Sequence, residues 1–135
     1  MTDPASARVH VDALLALLNG AGLPTYDAQA PAENRPERYA VLYSDPGTPS
    51  GTLGDRHRDL LIEFVLHGVG STREQAQHAV DLARLVLLTT VPTVAGRVVQ
   101  PLWQVGAPPP IQRDDDLTPA VFFQPITFQM RSTIP

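Results

Sequence analysis

"HRDLLIEFVLHGVGSTREQAQHAVDLARLVLL", residues 57–88, changes its hydrophobic period halfway along its length. Up to Val69 apolar residues recur at every second position, which predicts a β-strand. After Ser71 they recur at every third or fourth position, which predicts an amphipathic helix. Gly68 and Gly70 allow the chain to turn between the two elements. The strand residues predicted to face the core are Leu60, Ile62, Phe64 and Leu66.

The helix that follows this strand has its own start signal. Ser71 and Glu74 form an S-x-x-E capping box, which satisfies two backbone N–H groups of the first helical turn. The alanines near the start of the helix predict that it lies close to the sheet. Its buried stripe is predicted to comprise Ala76, Ala79, Val80, Ala83, Val86 and Leu87.

A second helix is predicted near the N-terminus, from Pro4 to about Asn19. Asp3 has the residue type of an N-cap, and proline is tolerated at the first helical position because its missing N–H would be unpaired there. Gly20 or Gly22 supplies the stop. The apolar stripe is Val11, Leu14, Leu15 and Leu18.

The remaining chain predicts three further strands. Residues 38–44 form the first, with Tyr39, Val41 and Tyr43 on one face. Two β-rich runs follow at 93–105 and 118–132, and the prolines at 101 and 125 within them predict a bulge or an edge. Residues 23–37, 46–56 and 106–118 are predicted to be an irregular connection and two long loops.

These elements predict one α+β domain over residues 1–135, in the order α-β-β-α-β-β. The expected architecture is a four-stranded, mostly antiparallel sheet with both helices packed on one face. On the other face, Leu61 and Val65 alternate with the polar residues Asp59, Glu63 and His67. A surface that is half apolar and half charged is typical of one that meets another subunit.

Composition excludes several classes of function. The 135 residues include no cysteine, so neither a disulfide nor a thiolate metal site is expected. The net charge is −4, and the ten basic residues are all arginines scattered along the chain, which argues against a DNA-binding track. No stretch approaches the about 18 uninterrupted apolar residues of a membrane span, so no membrane partner is expected.

No catalytic residue, metal site or cofactor is predicted. Asp55–Asp59, "DRHRD", could in principle serve acid–base chemistry, but charges at a strand entrance more often form a solvated edge. Arg113–Asp116, "RDDD", lacks the glycine turn and the distal glutamate of a calcium loop. The four histidines form no zinc-binding pair and are expected at the surface. A small enzyme or ligand-binding domain that uses Asp55–Asp59 remains an alternative.

Three stretches carry a resemblance to a known family. They are residues 38–88, which include "GVGSTREQA", then "GRVVQPL" at 96–102, and "QRDDDLTPAVFFQPITFQMRS" at 112–132. In this order and spacing they resemble the tail terminator proteins, also called tail completion or minor tail proteins, of long-tailed (siphovirus) actinobacteriophages. Gln124-Pro125 departs from the uninterrupted polar and aromatic run expected in the last strand.

The resemblance implies a structural virion protein and not an enzyme. Such a protein forms a ring, usually a hexamer, that caps the tail tube, ends its polymerisation and offers a surface to the head–tail connector or stopper protein. DNA passes through the ring without specific binding. The expected location is the tail–neck region of the virion, after assembly in the host cytoplasm. Another head–tail connector or head-completion (neck) subunit is the alternative.

A closed ring needs two different patches of each subunit to fit one another. The candidates are the mixed sheet face and the proline-rich loops 46–54 and 106–117, which lose little entropy on docking. Acidic walls would let DNA pass because they repel phosphate. The predicted interface residues are Arg56, Arg58, Asp59, Leu61, Glu63, Val65 and Arg113. The residues predicted to face the channel are Asp114, Asp115 and Asp116, or Glu63 with Asp59.

Overall fold

The computed structural model describes residues 6–135, apart from the side chains of residues 55–57. Within this range the chain forms two helices and eight strands. The helices are α1 (Ala7–Gly20) and α2 (Arg73–Thr89). The strands are β1 (Thr25–Asp27), β2 (Arg38–Ser44), β3 (Thr48–Thr52), β4 (Asp55–Gly70), β5 (Val98–Val99), β6 (Trp103–Val105), β7 (Gln112–Asp114) and β8 (Val121–Thr133).

All eight strands belong to one mixed sheet built around β4 and β8. The main order is β1-β2-β4-β8-β5, with β3 pairing to β4 and with β6 and β7 pairing to β8. The long central pair is antiparallel, and its register places Phe64 opposite Phe128. The β1 strand runs parallel to β2, which makes the sheet mixed.

The α+β class with two helices is confirmed, but the predicted strand number and order are wrong. The predicted loops and connection contain β1, β3 and β7, and the run 93–105 is split into β5 and β6. These strands have only two to five residues each. Segments this short show no hydrophobic period. Each of them forms by pairing with a longer strand that is distant in the sequence or has already formed.

The helices pack on the predicted face of the sheet. Leu60, Ile62, Phe64 and Leu66 are all at most 3% exposed and join α1 and α2 in one core. The Phe64 and Phe128 rings stack with their centroids 5.5 Å apart. An ideal Cβ at Gly68 would lie 2.5 Å from Cγ2 of Val80, so α2 rests directly on the backbone of β4.

Both helix starts differ from the prediction. In α1 the N-cap is Ser6, whose hydroxyl accepts a hydrogen bond from the Arg8 backbone N–H at 3.1 Å. The predicted cap Asp3 and Pro4 lie outside the described residues. In α2 the N-cap is Thr72, which accepts from the Gln75 N–H at 3.1 Å.

Ser71 precedes the N-cap by one residue, and its backbone N–H donates to the Glu37 carbonyl at 2.8 Å. Glu74 remains in the first turn of α2, where a negative charge is favourable.

A buried polar network joins α1, the loop after α2, and β8. His10 and Ser132 are fully buried, with His10 Nε2 2.7 Å from Ser132 Oγ. Arg97 Nε donates to the same hydroxyl at 2.8 Å. The expectation of a surface histidine is therefore wrong for His10, because the helix stripe that carries Val11 and Leu14 also turns His10 inward.

The proline of the last strand lies at a local edge. Pro125 pairs with His67 of β4 on one side. On its other side, β7 ends its pairing at Phe123 and β6 ends its pairing at Thr127. Pro125 therefore falls in the gap between two short partner strands, as a residue without an N–H requires. In the described part of the chain, neither helix is long and apolar enough to cross a membrane.

Candidate functional site

The sheet face turned away from the helices carries the candidate site, and we call it the open face. The half of this face that is nearer the start of β4 holds the β4 residues Leu61, Glu63 and Val65, as the alternation predicted. Tyr43 is 42% exposed there and Trp103 is 38% exposed. Large aromatic side chains left at the surface of a sheet are typical of an interface.

A row of hydrogen bonds crosses three strands of the open face. Trp103 Nε1 donates to Gln129 Oε1 at 3.1 Å, and Gln129 Nε2 donates to Glu63 Oε1 at 3.4 Å. These hydrogen bonds hold the Trp103 indole of β6 beside the central strands. They also give Glu63 a hydrogen-bond partner within the subunit. The charged and apolar residues of this face thus form one organised surface.

The other half of the open face, toward the end of β4, is covered by two loops. An open cavity of about 500 Å³ lies beneath them. Tyr39, Val41, Val69 and Val121 form a second small core there. The loops are residues 28–35 and 114–121, which come from distant parts of the sequence. The cavity forms because these two loops meet over the sheet.

Two titratable groups of the cavity wall have shifted pKa values. His67 lies between Tyr43 and Phe123, with ring centroids at 4.9 and 5.5 Å, and burial lowers the pKa of its imidazole. Burial raises the pKa of Tyr39, against the opposing effect of Arg35. Both groups are therefore held in their neutral forms at neutral pH.

Tyr39 is 3% exposed and lines both this cavity and an adjoining pocket at residues 32–37 and 118–121. The wall of the cavity combines apolar and aromatic side chains with a few polar ones, among them Gln29, Arg35 and Asp114.

The predicted acidic residues lie beside this cavity. Asp114 belongs to its wall, and Asp114 Oδ1 accepts from the Asp116 backbone N–H at 3.0 Å. Asp115 and Arg113 form an exposed ion pair of 2.6 Å. The guanidinium of Arg113 also lies 6.0 Å from the centroid of the Phe122 ring. These contacts order the segment that we call the acidic rim, residues 112–117.

The opposite end of β4 forms a hairpin with β3. Thr52 pairs with Asp55, which leaves a two-residue turn whose Leu53 is 91% exposed. Arg58 is also exposed on this hairpin and Asp59 is half-buried. The side chain of Arg56, a predicted interface residue, lies outside the described residues. Arg58 and Asp59, the members of the proposed charge cluster 55–59 whose side chains are described, thus lie toward the far end of β4 from the cavity, and neither lines it.

The predicted interface residues do not form one patch. Arg58, Asp59 and Leu61 lie toward the hairpin, whereas Arg113 lies on the acidic rim beside the cavity. Among the described residues, no group of three or more histidine, aspartate and glutamate side chains converges as a metal site.

A separate apolar patch on α2 and the loop after it was also missed by the sequence reasoning: Leu85, Leu88 and Val91 are 62%, 43% and 41% exposed.

A protein of a virion shares this fold. A chain in the virion of a native gene transfer agent particle matches with a TM-score of 0.55 at 17% sequence identity, over 96% of this chain and 93% of the other. A second solved structure, which carries no functional description, matches with a TM-score of 0.56 at 19% identity over 96% of both chains. At these identities the likeness is one of fold. No protein-family model and no curated protein sequence matches the chain.

Proposed function

We propose that the protein is a structural component of a phage virion that forms a homo-oligomeric ring, with six subunits as the family resemblance implies. The observation that carries the proposal is the fold shared with a virion chain over nearly the whole length of both. In this role the ring caps the tail tube, ends its polymerisation and presents a surface to the head–tail connector. The role involves binding and no enzymatic turnover.

The open face supports self-association. A ring is closed by a heterologous interface, in which one patch of a subunit meets a different patch of its neighbour. The open face, with its half-buried Leu61 and Val65 and its exposed aromatic residues, is suited to be one of these patches. The segments 46–54 and 106–117, at the hairpin and the acidic rim, are suited to the other.

The acidic rim supports a channel that DNA can pass. Asp115 and Asp116 are exposed and lie outside the cavity wall. In a ring, repeated copies of these carboxylates at the inner wall would repel the phosphates of the passing DNA. The net charge of −4 per chain agrees with DNA that passes through the ring and not with DNA that the ring binds.

A different neck protein is the alternative within the same class. Another head–tail connector or head-completion subunit would have the same ring and differ in its partner, which would be the portal side and not the tail tube. The enzyme alternative has less support because the cavity beneath loops 28–35 and 114–121 lies toward the opposite end of β4 from Arg58 and Asp59.

The test combines mass measurement with electron microscopy of the purified protein, alone and mixed with purified tail tubes. We expect a closed ring, found at one end of each tube, and tubes that stop growing once capped. A protein that stays monomeric and never associates with tubes would contradict the proposal. Rings that bind portal complexes and ignore tubes would favour the connector alternative.

A further inference from the structure

Leu53 is the most exposed large hydrophobic residue among those described. It lies in the two-residue turn between β3 and β4, at 91% exposure. Exposing an aliphatic side chain of this size at a turn is unfavourable in water and gives nothing to the core of its own subunit. A tip of this kind is suited to insertion into an apolar recess of another molecule.

The recess with matching chemistry is the cavity on the open face. It is lined mainly by apolar and aromatic side chains, among them Val41, Val69 and Phe123, and its volume of about 500 Å³ is ample for one aliphatic side chain with its turn. Its wall also includes polar side chains, among them Gln29 and Tyr39. A hairpin turn carries exposed backbone polar groups with which such side chains can pair.

The tip cannot fill the cavity of its own subunit. Both features belong to β4, whose first residue follows the turn and whose Val69 lies in the cavity wall. A strand rises about 3.3 Å per residue, so the two ends are separated by about 45 Å along β4. The contact must therefore join different copies of the chain, head to tail.

One exposed charge near the tip is opposite in sign to the net charge of the acidic rim. Residues 55–59 carry two arginines and two aspartates and so have no net charge, but Arg58 is exposed whereas its neighbour Asp59 is half-buried. The acidic rim carries three aspartates against one arginine, and that arginine is already paired with Asp115. The exposed Arg58 is attracted to the net negative charge of the rim, which orients the approach.

We infer that the Leu53 hairpin tip of one subunit inserts into the Tyr39 cavity of the next. This inference rests on the proposed ring and specifies the contact that closes it. A tip and a recess at opposite ends of one rigid strand form a heterologous contact, which closes into a ring when the rotation between neighbours permits. Asp115 and Asp116 lie outside the cavity wall, so the contact leaves them free to face the channel.

Cysteine cross-linking tests the contact directly because the chain has no cysteine of its own. The double variant Leu53→Cys/Ala32→Cys places one thiol at the tip and one at the exposed cavity wall. We expect a short bifunctional thiol reagent to produce a ladder of covalently linked subunits. The matched control is Leu53→Cys/Leu85→Cys, whose second thiol lies on the exposed surface of α2 and should give no ladder.

The outcomes separate this inference from the proposed function. The masses of both variants without the cross-linking reagent are measured in parallel, to show whether each variant assembles. If they form rings but only the control pair cross-links, or neither does, the tip contact is wrong and the ring stands. If neither variant nor the native chain associates, alone or on tail tubes, both proposals fail.

An affinity measurement gives a second test. Leu53→Asp should raise the dissociation constant for self-association by at least about tenfold, because the carboxylate would be buried among apolar side chains. Circular dichroism should be unchanged, since Leu53 contributes nothing to the core. Leu85→Asp serves as the control with the same chemical change at another exposed leucine. Equal affinity of Leu53→Asp and the native chain would overturn the inference.

Discussion

At the scale of single residues, His10 is held neutral by the groups around it. Its Nδ1 lies 2.9 Å from the Ser6 carbonyl, so the proton is on Nδ1, and Nε2 accepts from the Ser132 hydroxyl. Ser132 Oγ in turn accepts from Arg97. Burial lowers the pKa of His10 and the positive charge of Arg97 lowers it further, although the hydrogen bond to Ser6 opposes both. Protonation would place a second cation inside this network.

This arrangement predicts that the protein loses stability in mild acid. In the unfolded chain His10 titrates near pH 6.5, whereas in the folded chain it titrates lower. Between these values the unfolded state binds more protons, so the free energy of unfolding falls as the pH falls. Urea denaturation between pH 7.5 and pH 5 measures this slope.

The variant His10→Gln should show a smaller slope than the native chain, and it should lose about 1–3 kcal/mol at neutral pH through the disturbed network. His78→Gln, which removes an exposed histidine of α2 that contacts Arg38, serves as the comparison for losing a histidine without disturbing the buried network. Identical slopes for His10→Gln and the native chain would show that His10 does not carry the effect.

Gly68 makes the second prediction at this scale. A methyl group there would lie 2.5 Å from Val80 Cγ2 and 3.1 Å from the Val80 backbone nitrogen, so α2 would have to move away from the sheet. We expect Gly68→Ala to destabilise the fold by about 1–3 kcal/mol in thermal or chemical denaturation. Gly20→Ala is the matched control, since its added Cβ would meet nothing within 4 Å. Equal stability of the two variants would refute close packing at Gly68.

At the scale of elements, the start of α2 gives a prediction that separates two neighbouring hydroxyls. Thr72 caps the helix, while Ser71 lies in the turn before it. Thr72→Ala should therefore reduce the free energy of unfolding by about 1 kcal/mol. Ser71→Ala should change it by less than about 0.5 kcal/mol. Chemical denaturation of both variants decides the assignment, and the reverse order of effects would restore Ser71 as the cap.

The elements that the sequence predicts well are those with a long hydrophobic period. Residues 57–88 contain enough repeats to define both a strand and a helix, and their inward and outward faces are as expected. The β1 and β7 strands have three residues each and exist through pairing with β2 and β8. Pairing between distant segments leaves no local pattern, so these strands were read as loops.

The candidate site is predictable to a similar extent. The alternation in β4 identified Leu61, Glu63 and Val65 on a mixed face, and Tyr39, Val41 and Tyr43 were placed together on one face of β2. The cavity above Tyr39 was missed because it needs two distant loops to meet over the sheet. The exposed Leu53 was missed because a single leucine in a turn belongs to no period.

At the scale of the whole molecule, β4 is the rigid element that fixes the distance between a hairpin tip and a cavity. It is the central strand, paired on one side with β8 and on the other with β2 and β3. Its pairing with β8 extends over twelve consecutive residue pairs, from Asp59 to Gly70. A ring built from tip-to-cavity contacts would therefore have its dimensions set by the length of this strand and the angle at which the next hairpin enters.

The charges at the two ends of β4 yield a prediction about assembly. If the hairpin of one subunit meets the acidic rim of the next, Arg58→Glu and Asp114→Arg should each weaken self-association by about fivefold to tenfold, because each places like charges together. The double variant Arg58→Glu/Asp114→Arg restores opposite charges and should recover most of the native affinity. Sedimentation equilibrium at low and high salt measures the three proteins against the native chain.

The salt dependence supplies the internal control for this charge exchange. Added salt screens exposed charges, so the differences among the four proteins should shrink as ionic strength rises from about 0.05 M to about 0.5 M. The hydrophobic contribution of Leu53 should persist over the same range, since burial of apolar surface does not depend on charge screening. Failure of the double variant to recover, with both single variants weakened and folded, would mean that Arg58 and Asp114 act at separate surfaces and that the hairpin does not enter at the acidic rim.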